Sequence, residues 1–244
     1  MNLLDFLFPR RCVGCGKIGN YFCKQCRSKI ESITHPVCPV CGGPAIDGAT
    51  HPRCQTRYSL DGLTSFFRYD GAIRKAVKAI KYRFVSDLAK EFISLIPNSR
   101  LSGIHDAVFV HPSQTASGQL SINNYQSAIL IPIPLHPSRL RFRGFNQAEV
   151  LGRLLAKRLN IPMKIGVLKR IRKTIPQVEM KDRKKRLKNM EDVFAAFPNI
   201  LISQYLNILL FDDVFTTGAT LRAAANVLKR AGAKKVWGVV MAHG

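Results

Sequence analysis

Apolar positions along this chain switch between two periods. Gly62–Tyr69 reads as a strand closed by Asp70 and Gly71, after which Val77, Ile80, Phe84, Leu88 and Phe92 recur at spacings of three and four. That spacing predicts one helix with an apolar stripe, ended by Pro97, with Arg74, Lys75, Lys78, Lys81 and Arg83 mostly on its other flanks. Residues 98–127 are polar and read as an insertion or exposed loop, with Ala107–Val110 as its single short strand. Ala128–Pro134 is an apolar run that fits a strand buried on both faces. A loop over Leu135–Gln147 carries Arg139, Arg141 and Arg143, and a helix follows with Ala148, Leu151, Leu155 and Leu159 inward. Ile208–Phe211 is a second buried strand, followed by a turn and a helix with Leu221, Ala224, Ala225 and Leu228 on one face. Strands that feed helices in this way predict an α/β domain with a mostly parallel sheet.

The first 54 residues have a different logic, because all seven cysteines lie there. Cys12 and Cys15 are followed by Cys23 and Cys26; Cys38 and Cys41 are followed by His51 and Cys54. A two-residue gap lets both donors of a turn point at one ion, and Gly16 and Gly42 suit the positive φ of such a knuckle. The pattern predicts two closed, structural Zn²⁺ sites, one with four thiolates and one with three thiolates and the His51 imidazole. Disulfides, free buried thiols, and a surface role for His51 with His35 nearby are the competing readings. The expected division is a zinc-ribbon head over residues 1–58 and an α/β domain over 59–244.

Composition adds one outlier. Apolar residues make up 46% and charged residues 22%, enough for a core, but the net charge is +23. A surface this basic attracts polyanions: nucleic acid, phosphorylated metabolites or an anionic membrane. No apolar run reaches the ~18 residues of a membrane-spanning helix. The apolar opening Met1–Pro9 is interrupted by Asp5 and reads as no signal segment. The expectation is a cytoplasmic protein, and in a reducing cytosol cysteine pairs favour metal over disulfides.

The most specific stretch is Asn207–Leu221. Asp212 and Asp213 stand at the carboxyl end of the buried strand, where open α/β sheets place ligands. Thr216, Thr217, Gly218 and Thr220 then turn the chain into a helix, whose free N–H groups and dipole make a phosphate seat. No lysine follows the glycine, so this is not a Walker A loop. Two carboxylates beside a phosphate seat suit paired sugar hydroxyls or a water-bridged Mg²⁺. The plainer alternative is an acidic turn capping a helix.

Ile208–Thr220 resembles the phosphoribosyl-pyrophosphate signature of type I phosphoribosyltransferases. With the cysteine-rich head, Lys81-Tyr82, Pro132–Pro137 and Arg143–Gln147, the chain resembles the ComF family of competence-associated proteins nearly end to end, apart from residues 98–127. The resemblance implies a type I phosphoribosyltransferase-like fold behind a double zinc ribbon. It implies phosphoribosyl pyrophosphate or a similar phosphorylated sugar bound with Mg²⁺. Asp212 and Asp213 would hold ribose hydroxyls and Mg²⁺, Thr216–Thr220 the 5-phosphate, and Arg139 and Arg143 the pyrophosphate. The stretch Lys169–Gln177 and the charged run to Asn189 would form a mobile loop over the site. This loop is about one residue longer than the family pattern, and His51 stands where the family more often has Cys. Single-stranded DNA and the DNA-uptake machinery are the implied partners.

Lys181–Lys188 holds six basic residues in eight. It reads as a solvated helix face, as cations for a departing pyrophosphate, or as a track for single-stranded nucleic acid with stacking from Phe142, Phe145 and Tyr82. Two functions stay open: a phosphoribosyltransferase, or a non-catalytic protein that handles single-stranded DNA and retains the phosphate-sugar site.

Overall fold

The computed structural model describes residues 9–82, 86–109, 128–172, 192–197 and 207–244. Four parallel strands form the centre: β1 (Gly62–Arg68), β2 (Ala128–Pro132), β5 (Asn207–Phe215) and β6 (Lys235–His243), in the order β1-β6-β5-β2. Val236–Ala242 and Ile208–Phe211 are buried throughout, as strands covered on both faces must be.

One face is covered by α2 (Gly71–Tyr82), α3 (Ser86–Ser94), α4 (Asn98–Phe109) and α6 (Gln147–Leu159), which bury Ile73, Val77, Phe92, Ile104 and Leu155 against Phe211 and Val239. The other is covered by α7 (Ala219–Arg230) and an antiparallel ribbon of β3 (Leu168–Arg170) and β4 (Phe194–Ala196). Both sheet edges are closed by irregular chain. Ile33 donates its amide to Phe66 and Arg68 to Glu31 along β1, while Pro162 and Lys164 bond Leu130 on β2. Unpaired edges invite aggregation, so this covering protects the sheet.

The head, with one short helix α1 (Lys24–Arg27), packs into the same core. Phe22 is 4% exposed and stacks on Phe92 at 5.9 Å. Glu91 accepts the amides of Tyr21 and Phe22 at 3.1 and 2.8 Å, and Lys75 Nζ donates to the Gly14 carbonyl at 2.6 Å.

The structure corrects five local readings. The single helix over residues 74–96 is two, α2 and α3, with Phe84 outside the described residues. The polar stretch from residue 98 starts as α4 rather than a loop, and Ala107–Phe109 is helical rather than extended. Its sparse apolar residues suffice, because Leu101 and Ile104 are one turn apart and both buried. Arg158 fixes the approach by donating to the carbonyls of Ile93 and Ile96 and to Asn98 Oδ1. Residues 110–127 lie outside the described residues.

The arginine-bearing loop after β2 contains α5 (Pro137–Arg143). His136 caps it by accepting the Ser138 amide, Pro137 suits its first position, and Gly144 closes it at φ 77°. Finally, β5 runs past Phe211 to Phe215, so the two aspartates are strand residues. Among the described residues no helix is long and apolar enough to cross a membrane.

Candidate ligand site and metal centres

Four donors gather in each half of the head. The sulfurs of Cys12, Cys15, Cys23 and Cys26 lie within 4.8 Å of one another, as do those of Cys38, Cys41 and Cys54 with a His51 ring nitrogen. Gly16 and Gly42 adopt φ of 81° and 78°, as the knuckle geometry anticipates. His51 Nδ1 is 3.4 Å from Cys41 Sγ, and its Nε2 lies 2.7 Å from the Pro44 carbonyl. A ligating histidine is oriented by such a bond from its second nitrogen, which singles out His51; His35 Nδ1 instead pairs with Thr34 Oγ1.

Both donor sets fit tetrahedral Zn²⁺. Burial opposes ionisation of Cys12, but the amides of Cys23, Cys15 and Gly14 outweigh it and bring the thiol to about 6. Hydrogen bonding to Cys12, followed by burial, pushes Cys26 up to about 12. Four sulfurs this close cannot all ionise without a cation among them.

The second centre lies at the carboxyl end of the sheet. Asp212 is half-buried and folds back to accept the Asp213 amide at 2.8 Å. Asp213 is 5% exposed, and its Oδ2 lies 2.7 Å from Lys81 Nζ at the end of α2. The contact pairs an ammonium with a carboxylate that is almost fully enclosed. Burial and the Asp213 charge push the Asp212 carboxyl up to about 8, against the pull of the Asp213 amide and Lys81. Burial works against the Lys81 ammonium too, but Asp213 and Asp212 more than offset it and raise its pKa.

Thr216 is exposed, Thr217 and Thr220 are half-buried, and Gly218 is buried in the left-handed conformation at φ 72°. A side chain at Gly218 would come within 2.6 Å of the Phe215 ring. As the residue before α7, glycine offers no capping group; Thr217 Oγ1 accepts the Ala219 amide at 3.4 Å. Asp212, Thr216, Gly218 and Thr220 line a small cleft at the helix N-terminus, where anions are favoured.

Arg139 of α5 stands in electrostatic range of Arg170 in β3, and Arg170 of Asp212; burial and the Arg139 charge together lower the Arg170 pKa. Arg143 hydrogen-bonds Gln147 Oε1 at 3.0 Å. Groups of like sign, two adjacent carboxylates and two guanidiniums within electrostatic range of each other, repel at a cost that a bound ligand can relieve. The carboxylate pair fits a hard cation or a diol, and the guanidiniums fit a polyanion.

Two residues of this cluster escaped periodicity. Lys81 falls on the polar flank of its helix, and only its place beside Tyr82 in the family pattern flagged it. Arg170 belongs to the stretch read as a mobile loop, yet it is anchored in the β3–β4 ribbon. Residues 173–191, with the Lys181–Lys188 run, lie outside the described residues.

Residues 3–55 match the family of the double zinc ribbon domain. The whole chain is similar to competence protein F of Haemophilus influenzae, 28% identical over 99% of this chain and 100% of that protein. It is 30% identical to competence protein ComFC of Bacillus subtilis, over 86% of this chain and 78% of the relative. DNA utilization protein YhgH of Escherichia coli is 28% identical over 88% and 86%. Near-complete alignment with these relatives, the zinc-ribbon match and the parallel α/β core agree with one another, and the chain belongs to the ComF family.

Proposed function

We propose that this protein serves DNA uptake in competence and binds phosphoribosyl pyrophosphate with Mg²⁺ at the carboxyl end of its sheet. The names of its relatives, competence proteins and a DNA utilization protein, support the first half. The observation that carries the second is the pairing of Asp212 and Asp213 beside the glycine-led N-terminus of α7. In this reading the carboxylates hold the ribose hydroxyls and Mg²⁺, and Thr216–Thr220 hold the 5-phosphate. Arg139 and Arg143 face the pyrophosphate, with Arg170 beside them. A transferase would let a nucleophile displace pyrophosphate at the anomeric carbon, through charge stabilisation and positioning. The proposal includes a division between a head ending at residue 58 and a domain over 59–244. Its compartment is the cytoplasm, where thiols stay reduced for zinc.

Calorimetric titration with phosphoribosyl pyrophosphate and Mg²⁺ tests the binding, and pyrophosphate release across candidate bases tests turnover. Asp213→Asn should abolish both. Retained affinity in that variant would remove the carboxylates from the site.

A second reading, the handling of single-stranded DNA without catalysis, is favoured by Phe142. Its ring is 85% exposed on α5 between Arg141 and Arg143, an arrangement suited to stacking a base beside neutralised phosphates. Phe145 is half-buried, and the Tyr82 side chain lies outside the described residues. Asp213→Asn should leave single-strand affinity unchanged or slightly raised. Binding that barely weakens between low and physiological salt would refute the electrostatic part.

A further inference from the structure

The two residues enclosed by the second zinc knuckle, Pro39 and Val40, do not face solvent alone: they meet the phosphate loop. A side chain at Gly218 would lie 3.2 Å from the Pro39 carbonyl, and Arg222, on the first turn of α7, donates Nη1 to the Val40 carbonyl at 3.5 Å. Val37, one residue before the first ligand, packs on the cluster that holds Phe215, Ala219 and Leu221. Cys38 itself is fully buried, and its amide and carbonyl are tied to Gly43 and Gly42 at 2.8 and 2.9 Å. The ligand turn, the loop and the helix start are thus packed in direct succession. The first knuckle is built differently, since its Gly14 carbonyl is held by Lys75 on α2.

We propose that the second zinc centre is a positioning element of the ligand site: its ion fixes the Cys38–Cys41 turn, and Pro39, Val40 and Arg222 pass that rigidity to Thr216–Thr220. The head is then more than an appendage, because metal loading of one of its two sites sets the shape of the phosphate seat. A helix N-terminus holds an anion well only when its amides are already aligned, so a loosened seat binds less tightly. Reciprocity follows: whatever factor the second zinc adds to ligand affinity, the ligand must add to zinc retention at that site. This last step rests on the proposed binding of phosphoribosyl pyrophosphate.

Hydrogen exchange on the full chain tests the coupling without any ligand. Cys54→Ser, which removes a ligand of the second zinc, should speed amide exchange across Thr216–Leu221 by about five-fold or more. Cys15→Ser, which disables the first, should leave that segment near the wild-type rate. Arg222→Ala keeps both zinc sites and should reproduce part of the effect, with Arg222→Lys restoring it, so the test survives if Cys54→Ser does not fold. Loop exchange unchanged in Arg222→Ala, or equally fast in Cys15→Ser and Cys54→Ser, overturns the proposal. The second arm follows zinc release to a chromophoric chelator with and without phosphoribosyl pyrophosphate and Mg²⁺. The ligand should slow release from the second site only. A ligand that binds wild-type protein but slows neither site sinks the coupling alone. Absence of ligand binding alongside the exchange response sinks the phosphoribosyl pyrophosphate reading and leaves the coupling standing.

Discussion

Replacing Asp212 with Asn should make this protein more stable while destroying its proposed ligand site. In the folded chain, burial and the Asp213 charge push the Asp212 carboxyl from an ordinary 3.8 up to about 8. Between those values the folded state holds a proton that the unfolded chain has released, so stability falls as pH rises and levels off above about 8. Linkage alone sets a ceiling of about 6 kcal/mol on this penalty. Solvent at the half-buried carboxylate reduces it, and about 1–3 kcal/mol is expected. Asn keeps an oxygen for the Asp213 amide and carries no charge.

Urea unfolding can be followed by the chain's one tryptophan, Trp237, which is 4% exposed and donates Nε1 to Thr64 at 2.9 Å. The difference between variant and wild type cancels the zinc sites and isolates Asp212. The variant's advantage should grow with pH from about pH 4, just above the ordinary carboxyl value of 3.8, and be complete by pH ~8. An advantage that is absent at pH ~8, or that does not grow over this interval, would show that the carboxylate pair is not held at a cost.

Other outcomes follow from the same geometry. Lys81→Met leaves Asp213 buried without its cation and should destabilise by about 1–3 kcal/mol, less than a fully enclosed pair would lose. Adding Asp213→Asn should recover most of that loss in a double-mutant cycle, and additive losses would deny the pairing. Zinc removal should leave the head open to proteolysis, and reloading should release protons, because Cys26 is held up to about 12 and must ionise to bind. Calorimetry in buffers of different ionisation enthalpy counts those protons; none released would mean the thiols are already ionised. Phe142→Ala should change stability by less than about 0.5 kcal/mol, since the ring is 85% exposed. It should weaken single-strand binding by about 1–3 kcal/mol, and unchanged affinity would end its stacking role.

What could be read from sequence was local. Cysteines two residues apart must share a turn, so Cys12, Cys15, Cys38 and Cys41 declare metal sites at once. The apolar run into Asp212 and Asp213, then Thr216 to Thr220, declares a strand, a turn and a helix start. Each signal needs only backbone geometry over a few residues. Polar stretches were harder: α4 buries little more than Leu101 and Ile104 among its described side chains, and that dilute pattern reads as a loop until neighbouring helices supply the partners.

The remaining site features are contacts between distant segments. Lys81 leaves the solvent flank of α2 because the packing of that helix on the sheet sets its end over Asp213. Arg222 meets Val40 across 182 residues of chain. No periodicity encodes either contact, since both depend on how completed helices, strands and zinc turns stack around one core. The sequence alone determined which chemical groups this protein possesses and the local turns that present them. Tertiary packing decided which groups became neighbours, and so placed a lysine on the carboxylates and a cysteine knuckle beside the Thr216–Thr220 turn.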